Sequence, residues 1–169
     1  AETRKQVSRD LQMVFQDPMA ALNGRMTVGD LVREPMVIHG IGTTSTRRER
    51  SENLFAKVGL PSNSLNRYPH EFSGGQRQRI CIARALALNP KMIIADESVS
   101  ALDVSVQATV LDLLAELKQE MNMSYLFISH DMAVVENIAD RVAVMYLGQI
   151  VEMGTGAQIF GDPQHPYTQ

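Results

Sequence analysis

Met92-Ile93-Ile94-Ala95-Asp96-Glu97 is a short apolar run that ends in two acids. Its first four residues are continuously apolar, the pattern of a parallel strand buried on both faces. A strand that ends in Asp96 and Glu97 delivers two carboxylates to the edge of a sheet. Adjacent strand residues point to opposite sides, so the two acids can take different tasks. One can hold Mg²⁺, mostly through water, because that ion keeps much of its hydration shell beside phosphates. The other can accept a proton from an attacking water. The competing reading makes both of them loop acids or caps for the segment that follows.

Downstream, 104–121 has helical periodicity, with Val106, Val110, Leu113, Leu114, Leu117 and Met121 on one face. Asp103 stands where an N-cap belongs. Tyr125-Leu126-Phe127-Ile128 is a second apolar run, ending at Ser129-His130-Asp131. A short helix follows over 132–139. Then 141–147 and 149–153 read as two strands joined tightly at Gly148, a hairpin. Upstream, Leu11-Gln12-Met13-Val14-Phe15 has strand character and stops at Gln16-Asp17-Pro18. Between the first two strands, 27–88 reads as mainly helical. Its breaks fall at Pro35, at 39–46 and at 61–69. The β-α-β-α-β order predicts an α/β protein with a mostly parallel sheet and right-handed crossovers.

Open α/β sheets gather ligands at the C-terminal ends of their strands. Three such ends carry polar groups: Gln16, the pair Asp96-Glu97, and His130. A lone histidine is usually structural, but one beside a carboxylate edge can hydrogen-bond a terminal phosphate oxygen. Gln16 can orient water or Mg²⁺, as glutamines do in other phosphate-hydrolysing sites. Ser73-Gly74-Gly75-Gln76 has the spacing of a capping box, with Ile80, Ala83, Leu86 and Ala87 following at helical steps. A box does not require two glycines, each of which costs up to about 1 kcal/mol relative to alanine in a helix. Paired glycines at a helix start suit close approach of backbone N–H groups to an anion, so this segment reads as a phosphate-binding start.

Composition sets the bounds. The 169 residues are 44% apolar and 21% charged, ordinary values for a globular chain with a real core. Sixteen basic and 19 acidic residues give a net charge of −3, which argues against life on nucleic-acid phosphates. The single cysteine, Cys81, reads as a small buried apolar residue and excludes an internal disulfide; with the four histidines scattered, it makes no zinc constellation. Arg47-Arg48-Glu49-Arg50 reads as a solvated helix face. The polar start has no apolar leader, and no apolar stretch is long enough to cross a bilayer. No Gly-x-Ser-x-Gly hydrolase elbow is present.

The order Gln16, Ser73-Gly74-Gly75-Gln76, Asp96-Glu97, Ser100-Ala101-Leu102-Asp103, His130 resembles that of ABC ATPase domains. These stretches are similar to the Q-loop, the signature motif, Walker B with its catalytic glutamate, the D-loop and the H-loop. The resemblance implies a P-loop NTPase-like (RecA-like), mostly parallel sheet with an inserted α-helical subdomain. Residues 1–26 would hold the Q-loop strand, 27–89 the helical subdomain with the signature, and 90–169 the rest of the core and the hairpin. Arg67-Tyr68-Pro69-His70-Glu71-Phe72, Ser105-Val106-Gln107 and Pro163-Gln164-His165-Pro166-Tyr167-Thr168 resemble importers of peptides, glutathione or nickel.

That resemblance implies ATP and Mg²⁺ as cofactors. It implies a head-to-tail dimer with a second ABC ATPase domain, and transmembrane permease subunits contacted by the helical region and the segment after Gln16. A solute-binding protein would be an indirect partner, nucleic acid none, and the location the cytoplasmic face of the membrane. Gln16, Glu97 and His130 would be catalytic, and Asp96 and Gln16 would serve the metal. Ser73, Gly74, Gly75 and Gln76 would grip the nucleotide held by the partner domain, and Asp103 would cross between domains.

One element departs from the pattern. No Gly-x-x-x-x-Gly-Lys-Ser/Thr run occurs in these residues. Its lysine and Mg²⁺-binding hydroxyl are therefore not supplied here. The expectation is a domain incomplete at its N-terminus, with exposed apolar sheet surface and negligible hydrolysis by these residues alone. Two other readings stay open: a non-catalytic module that completes another subunit's site, and a soluble ABC ATPase outside transport. Ser98-Val99 replaces a common Pro-Thr, with little consequence expected.

Overall fold

The structure, a computed structural model, describes residues 2–169. The sequence suggests divisions near residues 26 and 89, whereas the spatial division falls between Ile128 and Ser129. In the first unit β1 (Leu11–Val14), β2 (Met92–Asp96) and β3 (Ser124–Ile128) form a parallel sheet with β2 in the centre. The register aligns Met13 with Ile94 and Leu126, and Asp96 with Ile128.

The expectation of strands buried on both faces requires correction. Val14, Ile93 and Ala95 line a buried face. Leu11, Met13 and Met92 lie on the opposite face with Leu126, 49% exposed, and Ile128, 44% exposed. Side chains alternate along a strand, so a continuous apolar run also places apolar residues on a face that this chain leaves open. The exposed apolar sheet surface expected from the sequence is present.

Between β1 and β2 run α2 (Pro18–Ala21), α3 (Val28–Ile38), α4 (Thr44–Lys57) and α5 (Gly74–Leu86). Two 3₁₀ turns, Ser62–Asn66 and Pro69–Glu71, lead into α5. A break was expected at Pro35, but α3 continues through it. Proline removes one N–H, to the Leu31 carbonyl, and crowds that turn. Tertiary burial outweighs this loss: Val28, Leu31, Val32 and Met36 are buried, and Thr27 caps the first turn by accepting from the Asp30 amide at 3.2 Å. The core of this unit includes Leu31, Met36, Phe55, Ile80, Ile82 and Leu86, all fully buried. The Arg47–Arg50 face is less solvated than its charge suggests. Arg47 is half-buried and donates to the Ile41 carbonyl at 2.7 Å, which ties down the loop before α4.

After β2, α6 spans Val104–Met121, as its periodicity predicts, and stops at Asn122 in the left-handed region (φ 48°). Lys57 of α4 pairs with Glu120 of α6. The sequence gives no warning of α1 (Glu2–Asp10), whose residues are almost all polar.

The second unit begins at Ser129. It contains α7 (Met132–Ile138), the antiparallel pair β4 (Arg141–Tyr146) and β5 (Gln149–Thr155), and α8 (Gly156–Gly161). The hairpin turns on Leu147-Gly148, both at positive φ (47° and 79°), the backbone of a two-residue turn matched to strand twist. Its tail is stapled back on. The Glu152 carboxylate accepts from the amides of Gln164 (2.8 Å) and His165 (3.1 Å), and the rings of Tyr146 and Tyr167 lie 4.3 Å apart.

Candidate functional site

Two of the predicted site residues meet directly. Gln16 follows β1 by two residues, and its Nε2 donates to Glu97 Oε2 at 2.7 Å. Glu97 is held by its backbone on every side. Its N–H donates to the Ile128 carbonyl at 2.9 Å. Its own carbonyl accepts from Ser100 N–H (3.1 Å) and Ser100 Oγ (2.9 Å). It also sits in the left-handed region, at φ 45°. A non-glycine residue there costs about 1 kcal/mol, and such positions persist where surrounding bonds over-determine them. The strain turns the Glu97 side chain out of the strand and toward the end of β1.

Asp96 closes β2 on the same side as Met92 and Ile94. Among the described residues, no group of three or more His, Cys, Asp and Glu side chains is arranged to hold a metal. A Mg²⁺ beside phosphates takes only one or two protein carboxylates, with phosphate and water oxygens completing the shell. One carboxylate at the end of β2 and one amide at the end of β1 fit that sparse, hard-oxygen set.

Ser73 caps α5. The reciprocal box is formed, with Gln76 N–H donating to Ser73 Oγ at 3.4 Å and Ser73 N–H to Gln76 Oε1 at 3.0 Å. The two glycines separate in role. A Cβ on Gly75 would lie 2.3 Å from Val106 Cγ1 of α6, so helix packing demands glycine there. A Cβ on Gly74 would meet Leu102 Cδ2 at an ordinary 3.7 Å. The paired-glycine argument for anion approach therefore rests on Gly74, which is exposed, while Gly75 is explained by packing. The capping box takes up the N–H groups of Ser73 and Gln76, so the N–H groups of Gly74 and Gly75 are the ones at this start with neither that box nor an intrahelical acceptor.

Asp103 stands at the N-cap of α6, but its side chain makes no capping hydrogen bond. The cap expected from position alone is not made. Asp103 is exposed, with φ −60° and ψ 147° at the helix entry.

His130 is the second residue of the second unit, two residues beyond β3, and is exposed. Its neighbours shape the turn. Asp131 N–H donates to Ser129 Oγ at 3.0 Å, and Asp131 Oδ1 caps α7 through the Ala133 amide at 3.0 Å.

Cys81 is buried, and burial pushes its thiol up to about 12, which leaves it an inert packing residue as expected. Sequence reasoning does not single out Arg84. It donates from Nη1 to the Ala21 carbonyl at 2.8 Å and from Nη2 to Glu34 Oε2 at 3.4 Å. No local pattern announces contacts of such long sequence separation.

The ABC transporter family matches residues 1–100 of this chain. The chain is 63% identical over 161 residues to the glutathione import ATP-binding protein GsiA of Salmonella typhimurium, covering 95% of this chain and 26% of that protein. It is 57% identical over 166 residues to the oligopeptide transport ATP-binding protein AppF of Bacillus subtilis, covering 98% of this chain and 50% of that protein. The chain thus spans between a quarter and a half of the length of these relatives. The fold matches cbiO1 of Clostridium perfringens, described as part of the ABC transporter complex cbiONQ. The TM-score is 0.83 at 26% identity, over 93% of this chain and 61% of that one. The fold is of the P-loop NTPase-like class, mixed α/β with a parallel sheet, and the chain belongs to the ABC transporter family.

Proposed function

We propose that this chain is part of the ATP-binding and ATP-hydrolysing subunit of a membrane importer for peptides or glutathione-like solutes. The observation that carries the reading is the Gln16–Glu97 contact. It joins two strand ends and fixes a carboxylate where a water can be activated. Gln16 donates to Glu97 Oε2 and would orient the carboxylate that takes the proton of the attacking water. Asp96, with Gln16, would hold Mg²⁺, whose charge neutralises developing charge on the phosphates. His130 would hydrogen-bond the terminal phosphate.

In a head-to-tail dimer with a second ABC ATPase domain, Ser73, Gly74, Gly75 and Gln76 would present the start of α5 to the nucleotide held opposite. The N–H groups of Gly74 and Gly75, which the capping box does not use, and the helix dipole suit an anion. Asp103, uncommitted to its own helix cap, would reach across that interface.

The permease subunits would dock on α3 and its flanks. A groove of about 350 Å³ is lined there by Met26, Asp30, Arg33, Glu34, Val37 and Ile38. Ile38 is 69% exposed, an apolar anchor with no cover in this chain. A short amphipathic permease helix fits such a groove. Among the described residues no helix is long and apolar enough to cross a membrane. The subunit would be held at the cytoplasmic face through the permease, with a solute-binding protein delivering cargo on the far side.

Uptake by the assembled transporter in sealed vesicles tests this reading. Labelled glutathione or an oligopeptide should accumulate only with Mg-ATP on the subunit's side, and Asp96→Asn should abolish accumulation. Accumulation without ATP, or undiminished in Asp96→Asn, overturns it.

A further inference from the structure

The short helix α2 lies directly after Gln16, and it cannot hold itself in place. Four residues are far below the length at which a helix is stable alone. Local bonds supply part of the order. Asp17 Oδ1 accepts from Met19 N–H at 2.8 Å, Ala21 N–H reaches the Asp17 carbonyl at 3.1 Å, and Leu22 N–H reaches the Pro18 carbonyl at 3.2 Å. Pro18 and Leu22 are buried. The carbonyl of Ala21, at the end of the helix, is taken by Arg84 Nη1 at 2.8 Å.

Arg84 belongs to the last turn of α5, the helix that begins at the Ser73 cap. Its other arm, Nη2, contacts Glu34 Oε2 at 3.4 Å. Glu34 lines the groove on α3. One guanidinium therefore joins α5, the groove and the segment that carries Gln16. Arginine suits this task because its planar fork serves two acceptors at once, which a lysine ammonium cannot reproduce in the same geometry.

We infer that Arg84 is a positioning residue: through α2 it sets where Gln16 meets Glu97, and through Glu34 it makes that placement sensitive to what fills the groove. A partner segment in the groove that draws on Glu34 frees one arm of Arg84 and changes its hold on Ala21. Four residues separate Ala21 from Gln16, so a small shift of α2 passes to the amide that touches Glu97. The inference rests on the ATPase-subunit reading for its kinetic consequences, but not for its structural ones.

The test compares Arg84→Ala, Arg84→Lys and Glu34→Gln in the assembled transporter, by steady-state ATP hydrolysis and by amide hydrogen exchange. Arg84→Ala should lower kcat about tenfold while the ATP KM stays within about twofold, because placement and not nucleotide binding is lost. Exchange at Ala21 and Leu22 should quicken about tenfold while α6 keeps its protection. Arg84→Lys should recover part of both losses. Glu34→Gln should lower permease-stimulated turnover and leave Ala21 and Leu22 exchange unchanged in the detached subunit. Wild-type kcat together with wild-type exchange in Arg84→Ala overturns the inference. Should Arg84→Ala lose protection throughout α5, wild-type kcat in both Arg84→Lys and Glu34→Gln overturns it. A wild-type complex that hydrolyses no ATP defeats the ATPase reading, and the exchange arm still decides the role of Arg84.

Discussion

The Gln16 amide donates to the Glu97 carboxylate at 2.7 Å, joining two residues 81 positions apart in the chain. The contact sets the orientation of the carboxylate that this account makes the general base. Gln16→Ala should lower kcat about tenfold by freeing that side chain, with a smaller change in ATP KM. Gln16→Glu should do more harm, because it sets two carboxylates against each other. A like charge raises a carboxyl pKa, so the acid limb of the pH–rate profile should move to higher pH in Gln16→Glu. An unshifted limb contradicts the contact.

The left-handed backbone of Glu97 (φ 45°) predicts a split between stability and activity. Glu97→Ala and Glu97→Gly both remove the carboxylate, but only glycine adopts this backbone without strain. Chemical denaturation should find Glu97→Gly more stable than Glu97→Ala by about 1 kcal/mol. Equal stabilities, or the reverse order, contradict strain at this position.

Gly75 packs beneath Val106, where a Cβ would stand 2.3 Å from Cγ1. Gly75→Ala should destabilise by about 1–3 kcal/mol through overpacking. Val106→Ala in the same chain should relieve most of that loss. Gly74→Ala should fold normally, since its Cβ meets nothing closer than 3.7 Å. Thermal unfolding of the three variants decides the matter.

These positions show how far the sequence reaches. β2 and α6 are legible, because an apolar run and a period of three to four residues are local signals. The hairpin at Gly148 is legible from its turn residue. The passage of α3 through Pro35 is not, because the packing that sustains it comes from distant residues. The left-handed Glu97 and its bond to Gln16 carry no local mark either. Asp103 illustrates the opposite failure: its position announces a cap that its side chain does not make. Gly75 carries a signal that admits two causes, anion approach or close packing, and only coordinates separate them.

Before α5, Glu71 braces the 3₁₀ turn of Pro69–Glu71. Its carboxylate accepts from the Tyr68 amide at 2.6 Å and from Arg67 Nε at 3.2 Å. The Tyr68 amide first, and the Arg67 guanidinium after it, hold the carboxyl below its ordinary value. A depressed folded-state pKa gives stability that is present above the unfolded value and lost as pH falls through the folded one. The gap in unfolding temperature between wild type and Glu71→Gln should therefore be widest above the ordinary carboxylate range and close as the pH falls below it. A gap that is constant or grows on acidification contradicts this role.

The central claim is that Glu97 activates water for ATP hydrolysis. Its most direct test is single-turnover hydrolysis by the assembled transporter, comparing wild type with Glu97→Gln, which keeps the size of the side chain and its place beside Gln16. The account predicts hydrolysis slowed by a factor of about 10²–10⁴ while ATP is still bound. Hydrolysis at the wild-type rate in Glu97→Gln, with ATP bound equally well, would contradict it.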